Sequence, residues 1–199
     1  VCVKEADSVI KLLNEIDFLK FWSNRDESFK RINSYSNNEN ILNSKELSIA
    51  LPLVRLTHLL SDYGLSKLKF SRKECQRCKL LRKWEKLYDG IGFKTLNEGD
   101  RFQLHKDLEG YLPALIFQLS FQDQKVWIKR WRDNADPLFH PSSLVNGNTL
   151  QDILGLPEGP KLGALIHHLA HERAFGRLSN IDQTLQEARH WWKHNSTLL

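Results

Sequence analysis

The run of residues 151–177, QDILGLPEGPKLGALIHHLAHERAFGR, restricts the local fold more than any other part of this chain. Pro160 follows Gly159 and suits the first position of a helix, where a missing N–H costs nothing and the ring already fixes a helical φ. Apolar side chains then recur at helical spacing, and Gly176 favours a stop. The apolar positions are Leu162, Leu165, Ile166 and Leu169. Gly163 costs this helix about 1 kcal/mol relative to Ala, so we expect a closely packed neighbour there.

The rest of the chain also follows helical periodicity, and we find no segment with the period-two alternation of a half-buried strand. Helices are predicted over residues 4–22, 44–63, 71–88, 100–121, 122–133 and 149–154, and after Ser179 or Asn180. Pro52 predicts a kink or a boundary in the second helix, and Gly64 predicts its end. Residues 33–44 are a polar loop rich in Asn and Ser. The fold class is therefore all-α, an irregular helical bundle or bundles of about 7–9 helices with no sheet.

Two proline steps divide the chain. Asp136-Pro137 and His140-Pro141 disfavour regular structure in the segment that contains them. We therefore predict a helical body at residues 1–133, a connector at 134–148 and a helical tail at 149–199.

Composition places the chain among globular proteins, with 41% hydrophobic and 27% charged residues. No stretch approaches the roughly 20 apolar residues of a membrane span, and the first residues, VCVKEADSV, are too polar for a secretion signal. Three cysteines argue against a disulfide framework. We expect a cytoplasmic protein. Because the sequence starts at Val and contains no Met, we also expect a fragment, or a sequence from which modified methionines were omitted.

The net charge of +5 is concentrated in one segment. Residues 67–89 hold nine Lys and Arg against three acidic residues, so the segment carries +6 and the rest of the chain −1. Such a basic block is typical of a nucleic-acid partner. Ser71 and Glu74 form a capping-box pattern that predicts the start of a helix. At 100° per residue, four cations of this helix fall within an arc of about 60°. These predicted phosphate contacts are Arg72, Lys79, Lys83 and Lys86.

The alternative to RNA contact is a solvated helix face, which is the commoner position of charged residues. Here only Glu85 dilutes the four like charges, and like charges at this spacing are mildly destabilising without a partner. The opposite side of the helix is apolar and should face the core, with Leu80, Leu81, Trp84, Leu87 and Tyr88. A second basic set on the predicted helix 122–133 fits RNA contact and a solvated surface equally. Its members are Lys125, Lys129 and Arg132.

Residues with metal-binding or aromatic chemistry favour ordinary structural roles. Cys75-x-x-Cys78 lacks a second Cys or His pair at zinc-finger spacing. His167 and His171 share a helical face, but the pattern is not His-Glu-x-x-His and no third ligand is evident nearby. Base stacking is possible for Trp127 and Trp131, although core packing is the favoured role of tryptophans at helical spacing. The same preference applies to Trp191 and Trp192. We predict no metal ligand and no catalytic residue.

The segment GLPEGPKLGALIHHLAHERAFGRLSNIDQTLQEARHW resembles the C-terminal region of bacterial tRNA nucleotidyltransferases and related poly(A) polymerases. The resemblance is carried by Leu154-Gly155-Leu156, Gly159-Pro160, Leu162-Gly163 and Gly176-Arg177-Leu178. The preceding NADPLFHPSSLVNGNTL and the Leu68-Lys69-Phe70-Ser71 helix start are also similar to the family. The resemblance spans residues 55–194 and is specific in 134–194.

The resemblance implies a helical body and tail that hold tRNA and set where its 3′ end reaches. The tail after Pro160, where Lys161 is a further candidate RNA contact, would lie on the elbow side of the tRNA. The family's catalytic head carries a Gly-Ser loop and Asp-x-Asp carboxylates that hold two metal ions, and neither pattern occurs in this sequence. No cofactor is therefore expected in this chain. The expected partners are tRNA or other RNA and an N-terminal head that uses Mg²⁺ with CTP or ATP.

Three points stay open at the level of sequence. Whether the parent enzyme adds CCA, A or poly(A) depends on the head and neck, and the oligomeric state is not indicated. A helical protein–protein scaffold, with the basic row against an acidic partner, is the alternative function. A metal-dependent hydrolase would need an ion at His167 and His171.

Overall fold

The computed structural model describes residues 6–16, 18–23, 41–88 and 92–195. Every regular element in these ranges is helical, which confirms the all-α class, and nine helices have six residues or more. The helices are α1 Ala6–Glu15, α2 Ser44–Leu59, α3 Asp62–Lys67, α4 Arg72–Tyr88, α5 Gly92–Thr95, α6 Glu98–Leu108, α7 Leu112–Ile116, α8 Phe121–Arg132, α9 Gly147–Leu154, α10 Pro160–Ala174 and α11 Ile181–His194. A membrane-crossing helix would need more length and apolarity than any of the described helices has.

Polar side chains fix where several helices begin. The Ser71 amide donates to Glu74 Oε2 at 2.9 Å and the Glu74 amide donates to Ser71 Oγ at 3.2 Å, which confirms the predicted capping box of α4. Asn43 caps α2 in the same reciprocal way. Asn180 caps α11 by accepting from the Gln183 amide at 2.9 Å. Each cap satisfies amides that a helix start leaves unbonded, so these boundaries are encoded locally.

The predicted helix over 44–63 is in fact two helices. Pro52 lies inside α2, which ends at Leu59 with Leu60 as its C-cap. Helix α3 begins at Asp62, two residues after Leu60. The Gly64 amide donates to Ser61 Oγ at 3.0 Å, so Gly64 lies in the first turn of α3 and the prediction that it ends a helix is wrong. A Cβ at Gly64 would lie 2.3 Å from the carbonyl oxygen of Trp22. Close packing against that backbone is what requires glycine.

The chain divides into two compact units, one of residues 1–95 with 110–129 and the other of 96–109 with 130–199. This grouping differs from the predicted body, connector and tail because α6 packs against α10. The Phe102 ring of α6 lies 5.1 Å from the His167 ring and 5.2 Å from the His171 ring. Arg177 Nη1 also donates to Glu98 Oε2 at 3.0 Å. Helix α6 therefore belongs to the core of the unit that contains the tail.

The core of the first unit surrounds α7, which packs against α2 and α4. Leu112, Leu115 and Ile116 are fully buried. Directly after α7, Gln118 Oε1 lies 2.8 Å from His58 Nε2, and Gln118 Nε2 donates to Glu85 Oε1 at 2.6 Å. This network satisfies polar groups at the junction of α2, α4 and α7, where an unbonded group would cost about 1–3 kcal/mol.

The second unit has its own core around α10, formed by side chains of α9, α10, α11 and the segments next to them. Its buried members are Val145, Leu150, Leu162, Leu165, Leu169, Leu178 and Ala188. Pro160 is the first residue of α10 as predicted, and Gly176 follows the helix with a φ of 76°. At Gly163, a Cβ would meet nothing within 4 Å. The expectation of a closely packed neighbour there is therefore wrong.

Gly64 and Gly163 give a matched pair of helical Gly→Ala tests. We expect Gly64→Ala to lower the free energy of unfolding by about 1–3 kcal/mol because the new methyl meets backbone. Gly163→Ala should raise it by about 0.5–1 kcal/mol because the site is open and Ala restricts the unfolded chain. Urea denaturation of both variants and the parent measures this. A Gly64→Ala variant as stable as the parent would contradict the packing against Trp22.

Candidate nucleic-acid interface

Helix α4 has one buried and one exposed face. Cys78, Leu81 and Trp84 are buried, so the inward face predicted for Leu81 and Trp84 is correct. The side chains of Leu87 and Tyr88 lie outside the described residues. The four predicted RNA contacts are all exposed, namely Arg72, Lys79, Lys83 and Lys86. The helix thus presents its aligned cations to solvent while its apolar face anchors it in the first unit.

Two arginines of the basic segment point into the protein instead. Arg82 Nη1 donates to the carbonyl oxygens of Thr57 at 2.8 Å and Leu60 at 3.1 Å, and Nη2 donates to the Asp62 carboxylate. These bonds satisfy carbonyls at the C-terminal end of α2, which have no partner within the helix. The Arg77 guanidinium lies 3.9 Å from the centre of the Tyr111 ring. Both arginines hold α4 in place, and neither belongs to the exposed row.

The two acidic residues of α4, Glu74 and Glu85, have partners outside the row. The Glu85 side chain is 11% exposed and lies 3.6 Å from His58 Nε2, on the inward side of the helix. Glu74 is engaged at the helix start, where the hydrogen bond from the Ser71 side chain lowers the pKa of its carboxyl. The sequence suggests that the Glu85 carboxylate offsets the positive charge of the row, but this carboxylate does not lie on the exposed face.

The other predicted RNA contacts lie on different helices. Lys125 and Lys129 are exposed on α8, whereas Gln124 and Ile128 of the same helix are buried. Lys125 Nζ lies 4.3 Å from the centre of the Phe121 ring. Lys161 is half-buried on α10 in the second unit. The predicted set thus comprises four residues of α4, two of α8 and one of α10.

The tryptophans that the sequence left between stacking and packing make internal contacts. The Trp127 ring lies 5.3 Å from the Phe93 ring, and Trp131 Nε1 donates to the Glu109 carbonyl oxygen at 3.0 Å. Trp191 and Trp192 pack against the core of the second unit. For Trp127, Trp131 and Trp191, these contacts account for the aromatic spacing without a ligand.

Sequence reasoning missed two cations on α11. Arg189 and Lys193 are exposed and lie one helical turn apart beside Trp192. Their i, i+4 spacing next to an aromatic residue was the available signal. The sequence of this helix also contains the acidic residue Glu187 and two histidines, so the two cations did not stand out as a basic set.

The cysteines and histidines that the sequence offers as metal ligands make packing contacts and hydrogen bonds within the protein. Burial raises the pKa of the Cys78 thiol, which disfavours the thiolate that metal binding or nucleophilic attack needs. His168 Nε2 lies 2.8 Å from Glu187 Oε1 and so links α10 to α11. His171 Nδ1 lies 3.2 Å from Glu172 Oε1. Within the part of the chain that the structure describes, no group of three His, Cys, Asp or Glu side chains is arranged to hold a metal ion.

No family model matches this chain, and comparisons with curated proteins and with solved structures find no significant match. The resemblance to tRNA nucleotidyltransferases therefore stays a prediction from its sequence motifs.

Inward and outward cations of α4 should differ in their effect on stability. We expect Arg82→Gln to lower the free energy of unfolding by about 1–3 kcal/mol, because it leaves carbonyls at the end of α2 without a donor. Lys79→Gln, a matched neutralisation on the exposed face, should change it by less than about 0.5 kcal/mol. Urea denaturation compares the two. Equal effects would contradict the structural role of Arg82.

His105 should make stability depend on pH. Its ring is buried 4.2 Å from the Phe139 ring, and burial lowers its pKa from 6.5 to about 3. Between these two pH values, the unfolded chain therefore binds one more proton than the folded chain. The free energy of unfolding is highest above pH 6.5 and falls as the pH falls. From pH 7 to pH 5 the loss should be about 2 kcal/mol.

The matched measurement repeats the pH series of urea denaturation with His105→Gln, which cannot titrate. This variant should lack that part of the pH dependence, whatever its stability at neutral pH. If both proteins lose the same stability between pH 7 and pH 5, buried neutral His105 is not its source.

Proposed function

We propose that this chain is an RNA-binding helical module of a tRNA nucleotidyltransferase or poly(A) polymerase, and that it holds tRNA through the exposed face of α4. The role of the module is to position the 3′ end of the RNA for nucleotide addition by an N-terminal head. The motif resemblance supports the family, and the charge arrangement of α4 supports RNA as the partner.

The observation that carries the proposal is the exposed row of Arg72, Lys79, Lys83 and Lys86. Like charges three, four and seven residues apart repel one another, and a polyanion removes that penalty. Because the Arg82 and Glu85 side chains are both turned inward, the four aligned positive charges share one exposed face of α4. A row along one helix matches a line of phosphates better than it matches a single small anion.

Charge reversal on the row should weaken tRNA binding. We expect Lys79→Glu/Lys83→Glu to reduce affinity at least about tenfold and to lower the slope of log K against log salt by about 2, because phosphate contacts release counterions. Fluorescence anisotropy with labelled tRNA over a salt series measures both quantities. The matched control is Lys45→Glu/Lys106→Glu, which reverses two other exposed lysines. If the row variant binds tRNA as the parent does, the row is not the RNA contact.

The chain by itself should add no nucleotides. Its sequence has no Gly-Ser pair and no Asp-x-Asp carboxylates, which the family uses to hold the nucleotide and two metal ions. Incubation with tRNA, labelled CTP or ATP and Mg²⁺ should give only background incorporation. Incorporation above background would contradict the assignment as a non-catalytic module.

The second candidate is a helical protein–protein scaffold, and one observation favours it. Val9, Leu12 and Ile16 form an exposed apolar row on and just after α1, and exposed apolar patches mark protein-binding surfaces. In the scaffold the basic row of α4 would face an acidic partner. An acidic polypeptide should then bind the chain more tightly than tRNA does at the same salt concentration. The anisotropy experiment with both ligands separates the two functions.

A further inference from the structure

A groove in the second unit lies between the end of α9 and the face of α11. Its volume is about 450 Å³, and the residues that line it are Ile153, Leu154, Leu156, Arg189, Trp192 and Lys193. Sites for small ligands measure about 300–1,000 Å³, so the groove has room for one compact group.

The groove joins an apolar floor to a basic rim. Leu154, Leu156 and Trp192 pack against the core of this unit, which anchors the floor. Arg189 and Lys193 project from successive turns of α11 and are both exposed. Among the described residues that line the groove, none is acidic. A ligand that fits both parts carries a flat or apolar group and a negative charge.

Lys161 adds a further cation at this site. Its Nζ lies 4.2 Å from the centre of the Trp192 ring. Lys161 therefore lies over the indole that lines the groove, and Arg189 and Lys193 line the same groove. Aromatic residues bordered by Arg and Lys bind single-stranded nucleic acid, because a base stacks on the ring while cations hold the phosphate.

We propose that this groove binds an unpaired nucleotide of the RNA, with the base against Trp192 and its aliphatic neighbours and the phosphate at Arg189 and Lys193. The inference rests on the proposed RNA-binding function and adds a second kind of contact, to a base. An acidic peptide is the competing occupant. The nucleotide is favoured because an indole offers a base a stacking surface, whereas an acidic peptide needs only the cations.

The test compares two RNA probes on the full chain by fluorescence anisotropy. One is a blunt hairpin and the other is the same hairpin with four unpaired 3′ nucleotides. The extension should increase affinity about fivefold or more, since stacking on an aromatic residue stabilises each bound base. Trp192→Leu and, separately, Arg189→Gln/Lys193→Gln should remove this increase and leave binding of the blunt hairpin unchanged within about twofold.

Two control variants show whether the loss of affinity is specific to the groove residues. Trp192→Phe retains a ring and should retain part of the increase, and Lys45→Gln/Lys106→Gln neutralises two exposed lysines elsewhere and should retain all of it. Circular dichroism checks that the variants fold. Because Arg189 and Lys193 are exposed, their double variant remains a fair test if Trp192→Leu is destabilised.

Three outcomes would overturn the groove assignment. In the first, the extended hairpin binds no better than the blunt one; in the second, the increase survives in both groove variants. Both leave the proposed function standing if the blunt hairpin still responds to Lys79→Glu/Lys83→Glu. In the third, a glutamate-rich peptide displaces the extended RNA from the parent but not from Trp192→Leu, which assigns the groove to a protein. Failure of both hairpins to bind would overturn the proposed function itself.

Discussion

The guanidinium of Arg82 fixes how the basic helix is set into the first unit. It donates to two carbonyl oxygens at the end of α2 and to Asp62 at the start of α3, so one side chain joins three helices. A hydrogen bond from a charged donor contributes about 1.5–3 kcal/mol, and several from one rigid planar group also fix orientation. With Arg82 and Trp84 turned inward, the rotation of α4 about its axis is determined, and the four cations of the row face solvent.

That orientation of α4 turns some charged side chains toward partners within the protein and leaves others exposed to a binding partner. Arg82 and Glu85 have buried or half-buried partners within the protein, while Lys79 and its neighbours in the row are exposed. The second unit offers a different surface, in which Trp192 and the cations of α11 border an apolar groove. A row of cations suits phosphates and an aromatic groove suits a base. The two proposed contacts therefore depend on different chemistry, and an experiment can contradict one proposal without contradicting the other.

Sequence reasoning succeeded where the deciding interactions span a few residues. The capping box of Ser71 and Glu74 and the Gly159-Pro160 start of α10 involve neighbours in the chain, so their patterns are visible in one dimension. It failed at Gly64, which was predicted to end a helix, and at Gly163, where a closely packed neighbour was predicted. The partner of Gly64 is the backbone of Trp22, far away in sequence, and Gly163 has open space beside it. Neither fact has a local signature.

The sequence by itself determined the helical class, the helix starts and the alignment of four cations on α4, because periodicity and capping depend on residues within one or two turns. Tertiary structure alone decided which charges stay exposed, since Arg82 and Glu85 differ from Lys79 by the partners that other helices supply. It also decided that α6 belongs with α10 and that Trp192 borders a groove. These outcomes depend on contacts between segments remote in the chain, which composition and spacing do not specify.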